Sequence, residues 1–269
     1  MLVEALEKGL RENQGEYEWN ESKIHISDLD IYLEDAGCER QFWLRVRGFD
    51  KKAHHAGEKL MFSLGNDIHE KAVNLLKIGL NGWEVHDVEK KVNLEGITGR
   101  TDLILKNGNE KMIVDLKSVR GKSFNYLDEP KKSNVLQVQS YMMAEDIDKG
   151  RLFYIDREGQ NFAKEFPVER NDEKVNKAIK YAKMIFDSEE KPFRMKPKIR
   201  YRQNKNNKAV YIKQPWQCNY CRFCDISCKG ALPKEYREIN RVVGYEYEGE
   251  GIEVKPKYKE LEGILKEAI

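Results

Sequence analysis

The sequence predicts an α/β fold, a mixed central sheet flanked by helices, and three observations carry that expectation. Apolar residues change period along the chain, in the order helix, three strands, helix, strands, helix. The turn Asn107-Gly108-Asn109 joins two of the apolar runs, which is a hairpin signal. The 269 residues, 40% of them hydrophobic, are enough to enclose a sizeable core.

Residues 23–46 read as a short extended piece and then a helix, capped by Ser27 or Asp28, with Leu29, Tyr32 and Leu33 spaced along it towards Cys38. Residues 63–78 read as a second helix, with Leu64, Ile68, Ala72, Leu75 and Leu76 on one stripe. Three strands follow, Trp83–Val92, Ile97–Leu105 and Lys111–Lys117, separated by Gly96 and by the Asn-Gly turn. Helical spacing returns at 133–147, strands at Leu152–Ile155 and Phe162–Phe166, and a long helix at Asn171–Ser188. Lys257–Ile269 reads as a terminal helix.

The chain is 35% charged with a mean hydropathy of −0.76, so its surface is very wet, while a net charge of +2 says little about partners. No apolar run approaches the roughly twenty residues that cross a bilayer. The opening MLVEALEKGL carries acids inside its apolar stretch, unlike a secretory signal. A cytoplasmic protein is expected, and in that compartment five cysteines, four of them between Cys218 and Cys228, suit metal binding better than disulfides.

Four short signals fall in one order: Gly65-x-x-x-His69 on the second helix, Gly99-x-x-Asp102 in a strand, Asp115-x-Lys117 at the end of the next strand, and Gln137-x-x-x-Tyr141 across one helical turn. Taken singly, each has a plainer reading as a helix face or a strand-end charge. Together they are what phosphodiester hydrolysis requires, because a hard cation held by carboxylates polarises the phosphoryl oxygen and acidifies a water. Mg²⁺ suits the carboxylates, and Mn²⁺ also tolerates the imidazole of His69. Asp115 and Lys117, two apart on a strand, share a face. Both acids lie in apolar runs, and a charge there needs a reason.

Cys218, Cys221, Cys224 and Cys228 have the spacing C-x2-C-x2-C-x3-C, that of bacterial ferredoxins, with Lys229 in place of the usual proline. By spacing alone an iron–sulfur cluster or a structural zinc ion fits. From Lys191 to Cys224 there is no acid, and nine Lys or Arg lie between Lys191 and Lys213. Arg200, Arg202 and Lys205, interleaved with Tyr201 and followed by Trp216, form a candidate single-strand DNA contact. Pro192, Pro197 and 204–207 suggest a mobile loop there.

The order GxxxH, GxxD, DxK, QxxxY resembles the RecB-like branch of the PD-(D/E)xK nucleases. The resemblance implies a metal-dependent DNA nuclease, an exonuclease preferring single strands, with the restriction-endonuclease-like core. It implies Mg²⁺ or Mn²⁺ held by His69, Asp102, Asp115 and the carbonyl of Leu116, with Lys117 as catalytic lysine and Gln137 and Tyr141 in support. Ser27-Asp28-Leu29 and Tyr32, then Cys38-Glu39-Arg40 and Phe42, resemble the N-terminal part of the iron–sulfur subgroup, the CRISPR-associated exonucleases and their phage and helicase-fused relatives. That likeness implies a 4Fe–4S cluster on Cys38, Cys218, Cys221 and Cys228, with Cys224 as alternate, in a helical lobe built from both chain ends. It also implies an integrase, helicase or recombination partner and a role in antiviral defence, or, as the alternative, an accessory protein of spacer acquisition acting through DNA and partner binding. The expected organisation is 1–60 contributing one cysteine, 61–190 the nuclease core, 191–232 the basic stretch and cysteines, and 233–269 a tail of unassigned role.

Overall fold

The alternating segments pair into a sheet. The computed structural model describes residues 2–12, 22–34, 36–193, 195, 198–204, 207–213, 215–224, 226–228, 245–248 and 251–253. These fall into two compact units. The first is Met1–Gly37, Arg45–Gly48 and Ala53–Glu189, and the second is Cys38–Leu44, Phe49–Lys52 and Glu190–Ile269.

In the first unit β1 (Glu84–Leu94), β2 (Ile97–Asn107), β3 (Glu110–Val119), β4 (Lys149–Asp156) and β5 (Ala163–Glu169) form one sheet in that spatial order. All neighbours are antiparallel except β3 and β4. A parallel pair needs a long crossover, and here it contains α4 (Gly121–Asn125) and α5 (Lys132–Glu145). The β2–β3 ladder runs from Asn107↔Glu110 to Leu103↔Val114 and ends there. Beyond that point the start of β2 takes a different neighbour: the Thr98 N–H donates to the Ile24 carbonyl (3.2 Å), and His25 bridges Thr98. The sheet is therefore split between β2 and β3 at one end.

Each face of the sheet has its own cover. On one, Val73 of α3 (Ala56–Gly79) joins Leu103, Leu105, Val114 and Leu116 in a buried cluster. On the other lies α5, with Leu136, Val138, Tyr141 and Met142 buried. Behind α5, α6 (Asp172–Asp187) buries Val175, Ala178, Ile179, Ala182 and Ile185 at helical spacing. Gly150 of β4 is where α5 comes closest. A Cβ there would lie 2.6 Å from Met142 Sδ and 2.9 Å from Val138 Cγ1. A helical valine has almost no alternative rotamer, so Gly150→Ala is expected to destabilise the protein by about 1–3 kcal/mol. Urea denaturation measures this, and an unchanged midpoint would show that α5 shifts away freely.

Several expectations are corrected. Residues 23–46 do not form one helix; a 3-10 helix, Ile26–Tyr32, is followed by α2 (Glu39–Val46). The residue at the 3-10 N-cap is His25, not Ser27 or Asp28, and Asp28 instead accepts the His25 N–H at 2.7 Å. Helix α3 begins seven residues earlier than expected, at Ala56, where His55 accepts from the Glu58 N–H. An N-terminal helix, α1 (Leu2–Glu12), was not anticipated.

The second unit contains an antiparallel sheet of β6 (Lys198–Asn204), β7 (Asn207–Lys213), β8 (Tyr245–Glu248) and β9 (Gly251–Glu253), besides the short α7 (Trp216–Tyr220). The stretch expected to be a mobile loop is thus a hairpin over most of its length, and the lobe expected to be helical carries a sheet. Its distant segments are tied through the backbone. The Lys52 N–H donates to the Arg222 carbonyl at 2.8 Å, Arg222 Nε returns to the Lys52 carbonyl, and Ser227 Oγ donates to the Asp50 carbonyl. The terminal helix expected at Lys257–Ile269 lies outside the described residues, as does most of 233–269. Among the described residues no helix is long and apolar enough to cross a membrane.

Candidate active site

The split between β2 and β3 is where the predicted site residues meet. Asp102 is the first residue of β2 past the end of the ladder, and its Oδ2 accepts the Leu116 N–H at 2.7 Å, a donor the ladder no longer uses. Asp115 lies across the split on β3, 1% exposed, with Lys117 Nζ at 2.7 Å from its Oδ2. That contact sets the Lys117 ammonium directly against the buried carboxylate. His69, from the middle of α3, brings Nδ1 to 4.0 Å from Asp102 Oδ2. Glycine at position 65, one turn before His69, faces Ser118 Oγ across ordinary van der Waals space.

The support comes from α5. Gln137 Nε2 donates to Tyr141 Oη at 2.9 Å, closing the predicted helical turn. The Tyr141 ring lies against Gly99 of β2, where a Cβ would come within 3.0 Å of it and 2.7 Å of Ile26 Cδ1. The glycine of the GxxD signal is thus needed for close approach.

Electrostatics bind the group together. Burial pushes the Asp115 carboxyl up to about 6; Lys117 pulls it back down, and the neighbouring Asp102 charge opposes Lys117. Burial likewise raises Asp102, against the pull of Lys117. For Lys117 burial acts downward, but the carboxylates of Asp115 and Asp102 outweigh it and hold the ammonium above its ordinary value. Burial, and then the Lys117 charge, lowers His69, so its imidazole is neutral near pH 7 and has a lone pair for a metal. Burial, with the nearby Asp115 charge, pushes the Tyr141 hydroxyl far above its usual range and keeps it a neutral donor.

Two residues of this neighbourhood escaped the sequence reading. Tyr154, fully buried, is the register partner of Lys117 on β4, and its hydroxyl accepts from Asn134 Nδ2 at 2.8 Å. Glu89 interrupts β1 with a φ of 55° between the pairs Val88↔Leu103 and Lys90↔Thr101, which sets it opposite Asp102, and it ion-pairs with Arg100. Left-handed backbone at a non-glycine residue in mid-strand is the kind of strain that collects at working sites, and no sequence pattern announces it.

The cysteines lie in the second unit and none forms a disulfide. Burial raises the Cys38 thiol, and the Cys228 charge adds to this; burial pushes Cys221 up to about 11, with Cys38 and Cys228 adding. Those three sulfurs therefore feel one another. Cys224 is 2% exposed and bridges Cys228 through the backbone. Cys218 sits in α7. Among the described residues, no three His, Cys, Asp or Glu side chains converge closely enough to enclose a metal ion.

Of the candidate DNA contacts, Arg200, Tyr201 and Arg202 occupy successive positions on β6, opposite Tyr211, Val210 and Ala209. Trp216 opens α7 and is 56% exposed. Lys205 lies outside the described residues.

Residues 29–228 match the sequence model of the PD-(D/E)XK nuclease superfamily. Among solved structures, the crystal structure of SSO0001 is similar over 87% of this chain and 98% of that one, with a TM-score of 0.52 and 21% identity. An alkaline exonuclease from Laribacter hongkongensis, solved alone and with dAMP, is similar over 61% of this chain and 86% of its own, at 13% identity and a TM-score of 0.47. For a phage-related exonuclease from Haemophilus somnus 129PT the values are 61%, 93%, 16% and 0.45. No curated protein sequence matches.

Proposed function

Since the chain belongs to the PD-(D/E)XK nuclease superfamily, we propose that it is a divalent-metal-dependent deoxyribonuclease, an exonuclease acting on single strands, with its active site at the split between β2 and β3. The observation that carries this is the buried Asp115 carboxylate, which stands beside Asp102, His69 and a protonated lysine where two strands separate. The donor set of two carboxylates and a neutral imidazole suits Mg²⁺ or Mn²⁺, held by His69, Asp102, Asp115 and the Leu116 carbonyl. When bound, the ion polarises a phosphoryl oxygen and makes a water acidic.

The chain's own groups do the rest. Lys117 stays protonated beside the carboxylates, so its ammonium meets the charge that builds on the phosphoryl oxygens during attack. Asp102 accepts the Leu116 N–H and so ties β2 to β3 beside Asp115. Tyr141, anchored by Gln137, keeps a neutral hydroxyl in the field of Asp115. Arg200, Tyr201, Arg202 and Lys205, with Trp216, remain the candidate contacts to a single strand.

The cysteines support a second, finer assignment: a 4Fe–4S cluster on Cys38, Cys218, Cys221 and Cys228, with Cys224 as spare. Five thiols free of disulfides fit such a donor set in kind and suit a reducing, cytoplasmic setting. By the same resemblance, an integrase, helicase or recombination partner is expected, in spacer acquisition or recombination.

The test is incubation with end-labelled single- and double-stranded DNA. Single strands are expected to shorten from an end with Mg²⁺ or Mn²⁺ and to survive with chelator. DNA left intact with every divalent ion would remove the assignment.

A further inference from the structure

Two large rings stand exposed on adjoining segments of the first unit: Tyr126 at 78% and Phe162 at 86%. A single exposed ring needs no explanation, but here the backbone around both is pinned. Asn161 Nδ2 donates to Asn125 Oδ1 at 2.7 Å, tying the residue before one ring to the residue before the other. Asp156 accepts the Glu158 N–H (3.0 Å) and the Asn161 N–H (2.8 Å), while its own N–H donates to the Phe162 carbonyl. Lys164 Nζ donates to the carbonyls of Phe124 (3.1 Å) and Leu127 (3.0 Å), which bracket Tyr126. The segments are tied down by these bonds while the rings face water.

Their place in the fold relates them to the active site. Lys117 pairs with Tyr154 and Val119 with Asp156, so both segments leave the sheet from the end nearest Lys117, two residues or about 7 Å of strand further on. The surrounding charge is nearly balanced, with Arg120, Lys122, Lys131, Lys132, Arg157 and Lys164 against Asp128, Glu129, Asp156, Glu158 and Glu165.

We propose that Tyr126 and Phe162 form a stacking platform for unpaired bases of the strand whose phosphate enters the site at Lys117. The inference rests on the nuclease reading and names the feature that would favour single strands. An unpaired base offers its face to a ring, while bases inside a duplex are stacked on one another. Mounting on segments tied down by these hydrogen bonds lowers the entropy lost on binding.

The experiment uses the full chain with Lys117→Ala, which spares the DNA, and fluorescence anisotropy on a labelled oligothymidylate and on a duplex of equal length. Adding Tyr126→Ala and Phe162→Ala should weaken single-strand binding roughly tenfold per ring. The slope of log affinity against log salt should not change, since no phosphate contact is removed. Duplex affinity should stay within about twofold, and tryptophan at both positions should restore single-strand binding. Single-strand affinity that survives both substitutions overturns the proposal, as does an equal loss on duplex. Loss of binding to a protein partner with DNA affinity intact overturns it too. The two readings fail separately: a Lys117 protein that cuts no DNA removes the nuclease assignment, whereas a protein that cuts DNA with ring variants binding normally removes only the platform.

Discussion

Asp115→Ala and Lys117→Ala are each expected to abolish DNA cleavage, lowering the rate by roughly three orders of magnitude or more, a loss on the order of 4 kcal/mol of transition-state stabilisation. Asp115 is the only one of the two acids that is 1% exposed, and Lys117 is its ion-pair partner, so neither role passes to a neighbour. Cleavage at near the parent rate in both variants would remove the site. Asp115→Asn adds a readout independent of activity. In the metal-free protein the folded carboxyl titrates at about 6 against an ordinary 3.8. Between those values the folded state holds a proton that the unfolded chain has released, so stability falls as pH rises through the window. The amide does not titrate. Asp115→Asn should therefore flatten that pH dependence and, in chelator at pH 7, stabilise the fold by up to roughly 3 kcal/mol. Melting curves from pH 4 to 7 decide it, and a slope identical to the parent's would show that Asp115 titrates normally.

Cys38→Ala should lose iron, brown colour and thermal stability together, while Cys224→Ala keeps most of all three. Cys38, Cys221 and Cys228 share one electrostatic neighbourhood. Cys224, deeply buried, behaves as a small apolar side chain whose truncation costs only modest packing. Iron content and melting temperature of the two variants are the measurements. A fully iron-loaded, stable Cys38→Ala protein would hand the cluster to the local set of Cys218, Cys221, Cys224 and Cys228. A colourless parent protein containing zinc would remove the iron assignment altogether.

Much of the nuclease core was legible because its signals are local and periodic. The apolar runs on either side of the Asn-Gly turn announced β2 and β3, and the structure places His69 near Asp102, Lys117 against Asp115 and Gln137 against Tyr141. What escaped has physical reasons. Residues 198–213 read as a loop because lysine and arginine mask the two-residue period, and because Asn204 and Asn207 looked like disorder rather than the closing pair of a hairpin. Helix α3 starts early because a histidine caps it, which composition does not advertise. Glu89 owes its place to a backbone twist opposite Asp102, and Tyr154 to a parallel register; both depend on pairings between residues far apart in the chain.

The reciprocal bonds between Lys52 and Arg222 span 170 residues. On a ribosome adding about 5–20 residues per second, the earlier segment must wait roughly ten to thirty seconds for its counterpart. During that interval Cys38 is already made and Cys221 is not. The second unit therefore assembles only after Arg222 is made, and until Cys218 is added Cys38 is the only cysteine on the growing chain. A chain stalled or cleaved before Arg222 would carry the first unit's sheet and carboxylates but lack Cys224 and Cys228.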